Sequence, residues 1–125
     1  MLSLNVGAWI AQGMLAAMFG MAGMMKSTRH MDGLAERMEW VKQYKPSTVR
    51  LIGLVEVAGA LGMVLPMVTG ILPWLTPLAA IGFAAIQILA LPVHLRLGEM
   101  KIIPMNLALL GLSLFVVWGR WGLIF

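Results

Sequence analysis

The sequence predicts an all-α integral membrane protein: a four-helix bundle with a short amphipathic interfacial helix between helices 1 and 2. Three observations carry that prediction. Of 125 residues, 61% are hydrophobic and only 11% are charged, whereas soluble domains run at about 45–50% apolar and about 25% charged. The apolar residues gather into long segments, each near the roughly 20 residues a helix needs to cross about 30 Å of hydrocarbon. The nine Lys and Arg residues lie almost wholly on one side of those segments. A water-soluble monomer is excluded, and so is a disordered chain, because apolar surface is abundant and net charge is small. The net charge of +4 is read as an orientation signal, and no nucleic acid partner is expected. With no cysteine in the chain, disulfides, thiolate nucleophiles, Cys-ligated zinc and iron–sulfur clusters are excluded.

The first span is expected over residues 6–25, a stretch without charge that Lys26 ends. No Lys or Arg precedes it, so it is read as a retained span and not as a cleaved signal peptide. Residues 51–91 contain one ionisable group, Glu56, over about twice the length of a crossing. Pro66, Thr69, Gly70 and Pro73 divide this stretch by a tight hairpin into spans at 48–68 and 72–91. The fourth span is expected at 102–118, closed by Arg120. Together the spans make residues 1–125 a single transmembrane domain.

Sidedness follows from the basic residues. Lys26, Arg29, Arg37, Lys42, Lys45 and Arg50 lie between spans one and two, and Arg96 and Lys101 between three and four. Only Arg120 lies on the other side. That bias predicts a multi-pass membrane protein with both charged loops cytoplasmic and both termini outside. Trp9, Trp74, Trp118 and Trp121 fall at the outer ends of the spans, as an interfacial belt requires. Within the first loop, Met31, Leu34, Ala35, Met38, Val41 and Tyr44 recur at helical spacing before Pro46. This is the interfacial helix, with Trp40 and the basic residues as anchors in the lipid headgroups.

An acid at mid-span costs about 2.5–3.5 kcal/mol on insertion scales, so Glu56 must face the bundle interior, be neutralised or have a partner. The other informative groups are Lys26, Gln87, His94 and Asn106. Gln87 and His94 are seven residues apart, as are Asn5 and Gln12, and Asn106, Ser113 and Arg120. A seven-residue spacing keeps a polar stripe on one face and suits a left-handed bundle. Lys26, Glu56, Gln87, His94 and Asn106 are therefore taken as lining one polar interior cavity, richest toward the cytoplasmic half. Two alternatives stand beside this: Lys26 as a snorkelling anchor, and Glu56 as half of a structural ion pair with Lys26 or Arg50. A lone imidazole does not predict a metal site. No nucleotide loop, zinc-protease motif or Ser nucleophile elbow is present, so no catalytic residue is assigned.

The segments Ala22-Gly23-Met24-Met25-Lys26, Arg50-Leu51-Ile52-Gly53-Leu54-Val55-Glu56, Leu72-Pro73-Trp74-Leu75-Thr76-Pro77 and Val93-His94-Leu95-Arg96, with Gly98-Glu99 following, resemble the DoxX-like family of small bacterial membrane proteins. The resemblance covers most of the chain in order. It implies a four-helix bundle in the cytoplasmic membrane with a link to redox physiology, because a relative is the membrane subunit of a thiosulfate:quinone oxidoreductase. It also carries Lys26, Glu56 and His94 as family positions. The reading it supports is an accessory subunit of a redox-linked membrane assembly, binding a quinone or lipid among membrane lipids. Such a subunit is expected to act in a homo-oligomer or in a hetero-complex with redox membrane proteins, without independent catalytic activity. The alternative is a non-catalytic scaffold that stabilises partner membrane proteins through its small-residue faces. A small-molecule or proton carrier ranks third, since none of the spans looks broken.

Overall fold

The computed structural model describes residues 2–30, 33–34 and 44–123. Four helices follow one another: α1 (Leu2–Thr28), α2 (Pro46–Thr69), α3 (Leu75–Arg96) and α4 (Ile103–Gly119), with a final 3₁₀ turn at Trp121–Leu123. The helices α1 to α3 are long and apolar enough to cross a membrane. At 17 residues, α4 is about 25 Å long and sits at the short end of the spanning range. The expected interfacial helix lies largely outside the described residues; of its apolar positions only Leu34 and Tyr44 are described. Leu34 is buried against Val49, with Met25 and Tyr44 beside it.

Local chemistry explains the boundaries. Pro46 occupies the first turn of α2, where its missing N–H has no helical partner to lose. Gly70 ends α2 at φ 73°, a left-handed conformation natural to glycine. Helix α2 runs through Pro66 to this point, so the hairpin turns at residues 70–74 and not at the first proline. Helix α3 likewise continues through Pro92 to Arg96, five residues beyond the apolar stretch that suggested it. Proline is tolerated in such helices because neighbouring groups can satisfy the freed carbonyl. His94 consequently sits in the last turn of a helix instead of in a loop.

The bundle is inverted relative to a soluble protein. Gln12, Lys26, Glu56, Thr76, Gln87, His94, Asn106, Ser113 and Arg120 are buried, while Ile10, Met21, Leu51, Leu61, Val68, Leu89 and Trp118 are exposed. Water would reject that arrangement; hydrocarbon favours it. The buried positions fall at seven-residue intervals: Gln12, Phe19 and Lys26; Val49, Glu56 and Met63; Ala80, Gln87 and His94; Asn106, Ser113 and Arg120. Each helix thus turns one continuous stripe inward.

Closest approach occurs between α1 and α2. A Cβ on Gly23 would stand 2.6 Å from the Gly53 carbonyl oxygen, and a Cβ on Gly53 would stand 2.7 Å from that of Gly23. Only two glycines let these backbones touch. At mid-bundle, Phe19 of α1 stacks on Phe83 of α3 with ring centroids 3.9 Å apart and planes 6° from parallel. Met63, Leu15, Ala11, Ala80 and Val116 pack around that stack. Gly23→Ala or Gly53→Ala should therefore destabilise the bundle by about 1–3 kcal/mol through overpacking. Gly13→Ala, with nothing within 4 Å of the added carbon, should leave it unchanged. Denaturant unfolding in mixed micelles checks the contrast.

Candidate functional site

The stacked phenylalanines divide the polar interior into two layers. At the end holding the α2–α3 hairpin, Gln12 Nε2 donates to the Met63 carbonyl at 2.6 Å, and its Oε1 accepts from Arg120 Nε at 2.7 Å. Arg120 Nη1 also donates to Asn5 Oδ1 at 2.8 Å, and the guanidinium lies 5.5 Å from the Trp9 ring centroid. Thr76 Oγ1 donates to the Gly62 carbonyl at 2.8 Å, joining α2 to α3. These bonds knit the start of α1 to the end of α4. Ser113, by contrast, bonds back to Leu109 of its own helix at 2.8 Å, a common way for a hydroxyl to be satisfied within a helix.

The second layer lies toward the opposite end, where Lys26, Arg29, Lys45, Arg50, Arg96 and Lys101 gather. Here Lys26 Nζ meets Glu56 Oε1 at 2.7 Å, and Glu56 is 2% exposed. The direction of the lysine is the informative point. A Cβ built on Gly53 would stand 2.8 Å from Lys26 Cβ, so the lysine leaves its helix beside Gly53 and reaches inward to Glu56, one turn deeper along α2. Snorkelling would send it the other way. Arg50 does not pair with Glu56: its Nη1 donates to the Lys26 carbonyl at 2.8 Å. That bond satisfies one of the carbonyls left open at the end of α1.

Lys26, Glu56, Gln87, His94 and Asn106 all line one cavity of about 530 Å³. Apart from Tyr44 its wall is otherwise apolar, and Phe19 closes it toward the bundle centre. The volume lies within the roughly 300–1,000 Å³ of small-molecule sites. On the hairpin side of the cavity, α2 and α3 touch through Gly59 on Phe83 and Gly62 on Ala79. Beyond these contacts the two helices flank the cavity, and its lining residues Leu51 and Val55 of α2 and Leu89 of α3 are exposed. The cavity therefore opens sideways, onto the apolar face of the bundle.

Two groups in this layer escaped the sequence. Glu99 Oε1 lies 3.1 Å from His94 Nδ1, a contact created by the tight turn after α3, where the Glu99 N–H bonds to the His94 carbonyl at 2.9 Å. Tyr44 also lines the cavity, although its spacing had assigned it only to an amphipathic face. Among the described residues no group of three or more His, Asp or Glu side chains could hold a metal ion. The expected single cavity thus becomes two layers. Asn5, Gln12 and Arg120 belong to the structural one, and the five candidate residues stay together in the other.

The family model described as DoxX-like matches residues 10–116. No curated protein matches the chain, and no solved structure does.

Removing one partner of a buried ion pair strands the other and costs about 3–5 kcal/mol. Lys26→Met and Glu56→Leu should each destabilise the protein on that scale, whereas the two combined should recover most of the loss. A double-mutant cycle on unfolding in micelles reads the coupling. Additive losses would show that the two side chains do not interact.

Proposed function

The chain belongs to the DoxX-like family, and from that premise we propose that it is an accessory subunit of a redox-linked membrane assembly that holds a quinone-like or lipid molecule between its helices. The observation that carries the reading is the 530 Å³ cavity that combines an apolar wall, a lateral opening and a cluster of polar side chains at one end. A molecule with a long tail and a small polar head has that same division of character. The tail would lie along Leu51, Val55 and Leu89 and pass into the bilayer, while Lys26, Glu56, Gln87, His94 and Asn106 would surround the head. Entry from the side avoids drawing an apolar tail through water, which would cost about 0.8 kcal/mol per methylene.

In this reading the protein is a multi-pass component of the inner membrane, with α4 as the fourth crossing. Its basic end faces the cytoplasm and its Trp-bearing hairpin end faces outward. The gathering of basic residues at one end supports that orientation. Exposed apolar side chains on every helix leave lipid or partner subunits as the neighbours. The proposed role asks this chain for binding and positioning, with electron transfer left to the partners of the assembly.

Ala90 lines the cavity one helical turn from both Gln87 and His94, so Ala90→Phe should fill it while every polar side chain is kept. Protein extracted from membranes in mild detergent should carry an apolar molecule that organic extraction and mass spectrometry recover, and Ala90→Phe should lose it. Equal recovery from both proteins would place the molecule outside the cavity and remove the reading.

A further inference from the structure

The cavity contains two kinds of polar group, and they differ in whether their bonding is complete. Its ionisable groups have counterparts: Lys26 Nζ has Glu56 Oε1 at 2.7 Å, and His94 Nδ1 has Glu99 Oε1 at 3.1 Å. Its two carboxamides are incomplete. Gln87 Oε1 and Asn106 Nδ2 are buried with no hydrogen-bond partner among the described residues, and the side chains that carry them are 6% and 4% exposed. They come from different helices, α3 and α4, yet line the same cavity. Buried polar groups in folded proteins are nearly always bonded, and two orphans on one cavity wall require an explanation.

From this contrast we infer that the cavity selects a neutral head group bearing carbonyl or hydroxyl oxygens, held by the carboxamides of Gln87 and Asn106. This rests on the binding role proposed above and narrows it to one class of ligand. A carboxamide offers N–H donors and a carbonyl acceptor without charge. A carbonyl oxygen in the head accepts from Asn106 Nδ2, and a hydroxyl in the head donates to Gln87 Oε1. An anionic head has no such place. The cavity ammonium is already bonded to Glu56, so an arriving carboxylate or phosphate would compete with that acid and lie beside it. A cationic head meets the converse difficulty, because it would have to displace Lys26 from Glu56. Charge recognition is closed by the internal pairs, whereas neutral hydrogen bonding is open.

The test compares three probes with saturated tails of nine or ten carbons, namely decylubiquinone, decanoate and decylammonium. Each is titrated into the full chain in detergent, counting only binding that Ala90→Phe removes. Decylubiquinone should bind at least tenfold more tightly than either charged probe. Asn106→Leu should weaken its binding by about tenfold, the loss expected for one hydrogen bond, and Gln87→Leu should weaken by the same factor the binding of its reduced form, decylubiquinol, whose hydroxyl can donate to Gln87 Oε1. Both variants should melt at the same temperature as the parent or higher, because each removes an unsatisfied buried group. A lower melting temperature with unchanged affinity for decylubiquinone in Asn106→Leu and for decylubiquinol in Gln87→Leu would make the carboxamides structural and overturn the inference. Equal or tighter binding of decanoate or decylammonium would overturn it too, while leaving the cavity as a binding site. If Ala90→Phe removes no binding of any probe, the cavity reading fails, and the inference with it.

Discussion

A lysine that points into the membrane is the constraint around which the rest of this bundle is arranged. Burying an ammonium and a carboxylate separately in hydrocarbon is prohibitive, and burying them as a pair is tolerable only when geometry and desolvation are matched. The 2.7 Å contact between Lys26 and Glu56 meets that condition because Gly53 leaves room beside the lysine stem. The same absence of side chains lets α1 and α2 touch at Gly23 and Gly53. Close packing and charge pairing are therefore one arrangement, and neither glycine could gain a methyl group without disturbing the pair. Arg50 fastens the end of α1 and leaves Glu56 to the lysine.

Above this pair the Phe19–Phe83 stack separates two polar layers of opposite character. Toward the hairpin end, Asn5, Gln12 and Arg120 bond to one another and to backbone, which makes that layer a clamp between the first and last helices. Toward the basic end, the polar groups line the cavity, and two of them have no hydrogen-bond partner among the described residues. A bundle seeking only stability would have placed methyl groups there, since an apolar replacement of an unsatisfied polar group is often neutral or better. Gln87 and Asn106 beside the cavity are the feature on which the proposed binding role rests.

Much of this was legible in the sequence. The uncharged runs gave the helices because backbone polar groups in lipid must be satisfied within the segment, and the cost of an acid at mid-span turned Glu56 inward. Seven-residue spacing joined Gln87 to His94 and Asn106 to Arg120, and all four are buried. What stayed hidden depends on contacts between segments distant in the chain. The direction of Lys26 is set by the missing side chain of Gly53, and the division of the stripe by two phenylalanines that meet only in three dimensions. The pairing of Glu99 with His94 depends on a turn whose shape the apolar pattern does not encode. Proline misled at the end of the third span, expected to stop at residue 91, because a helix in lipid continues through Pro92 where one in water would more readily end.

The central claim is that the Lys26 ammonium lies against the Glu56 carboxylate inside the bundle. A hydrophobic carbodiimide such as dicyclohexylcarbodiimide, added to membranes that contain the protein, activates buried carboxyl groups and lets an amine in contact displace the reagent. The account predicts an isopeptide bond between Lys26 and Glu56, seen by peptide mass spectrometry as two joined peptides that have lost one water. Glu56 carrying the reagent as a stable acylurea, with Lys26 unmodified and uncrosslinked, would contradict it.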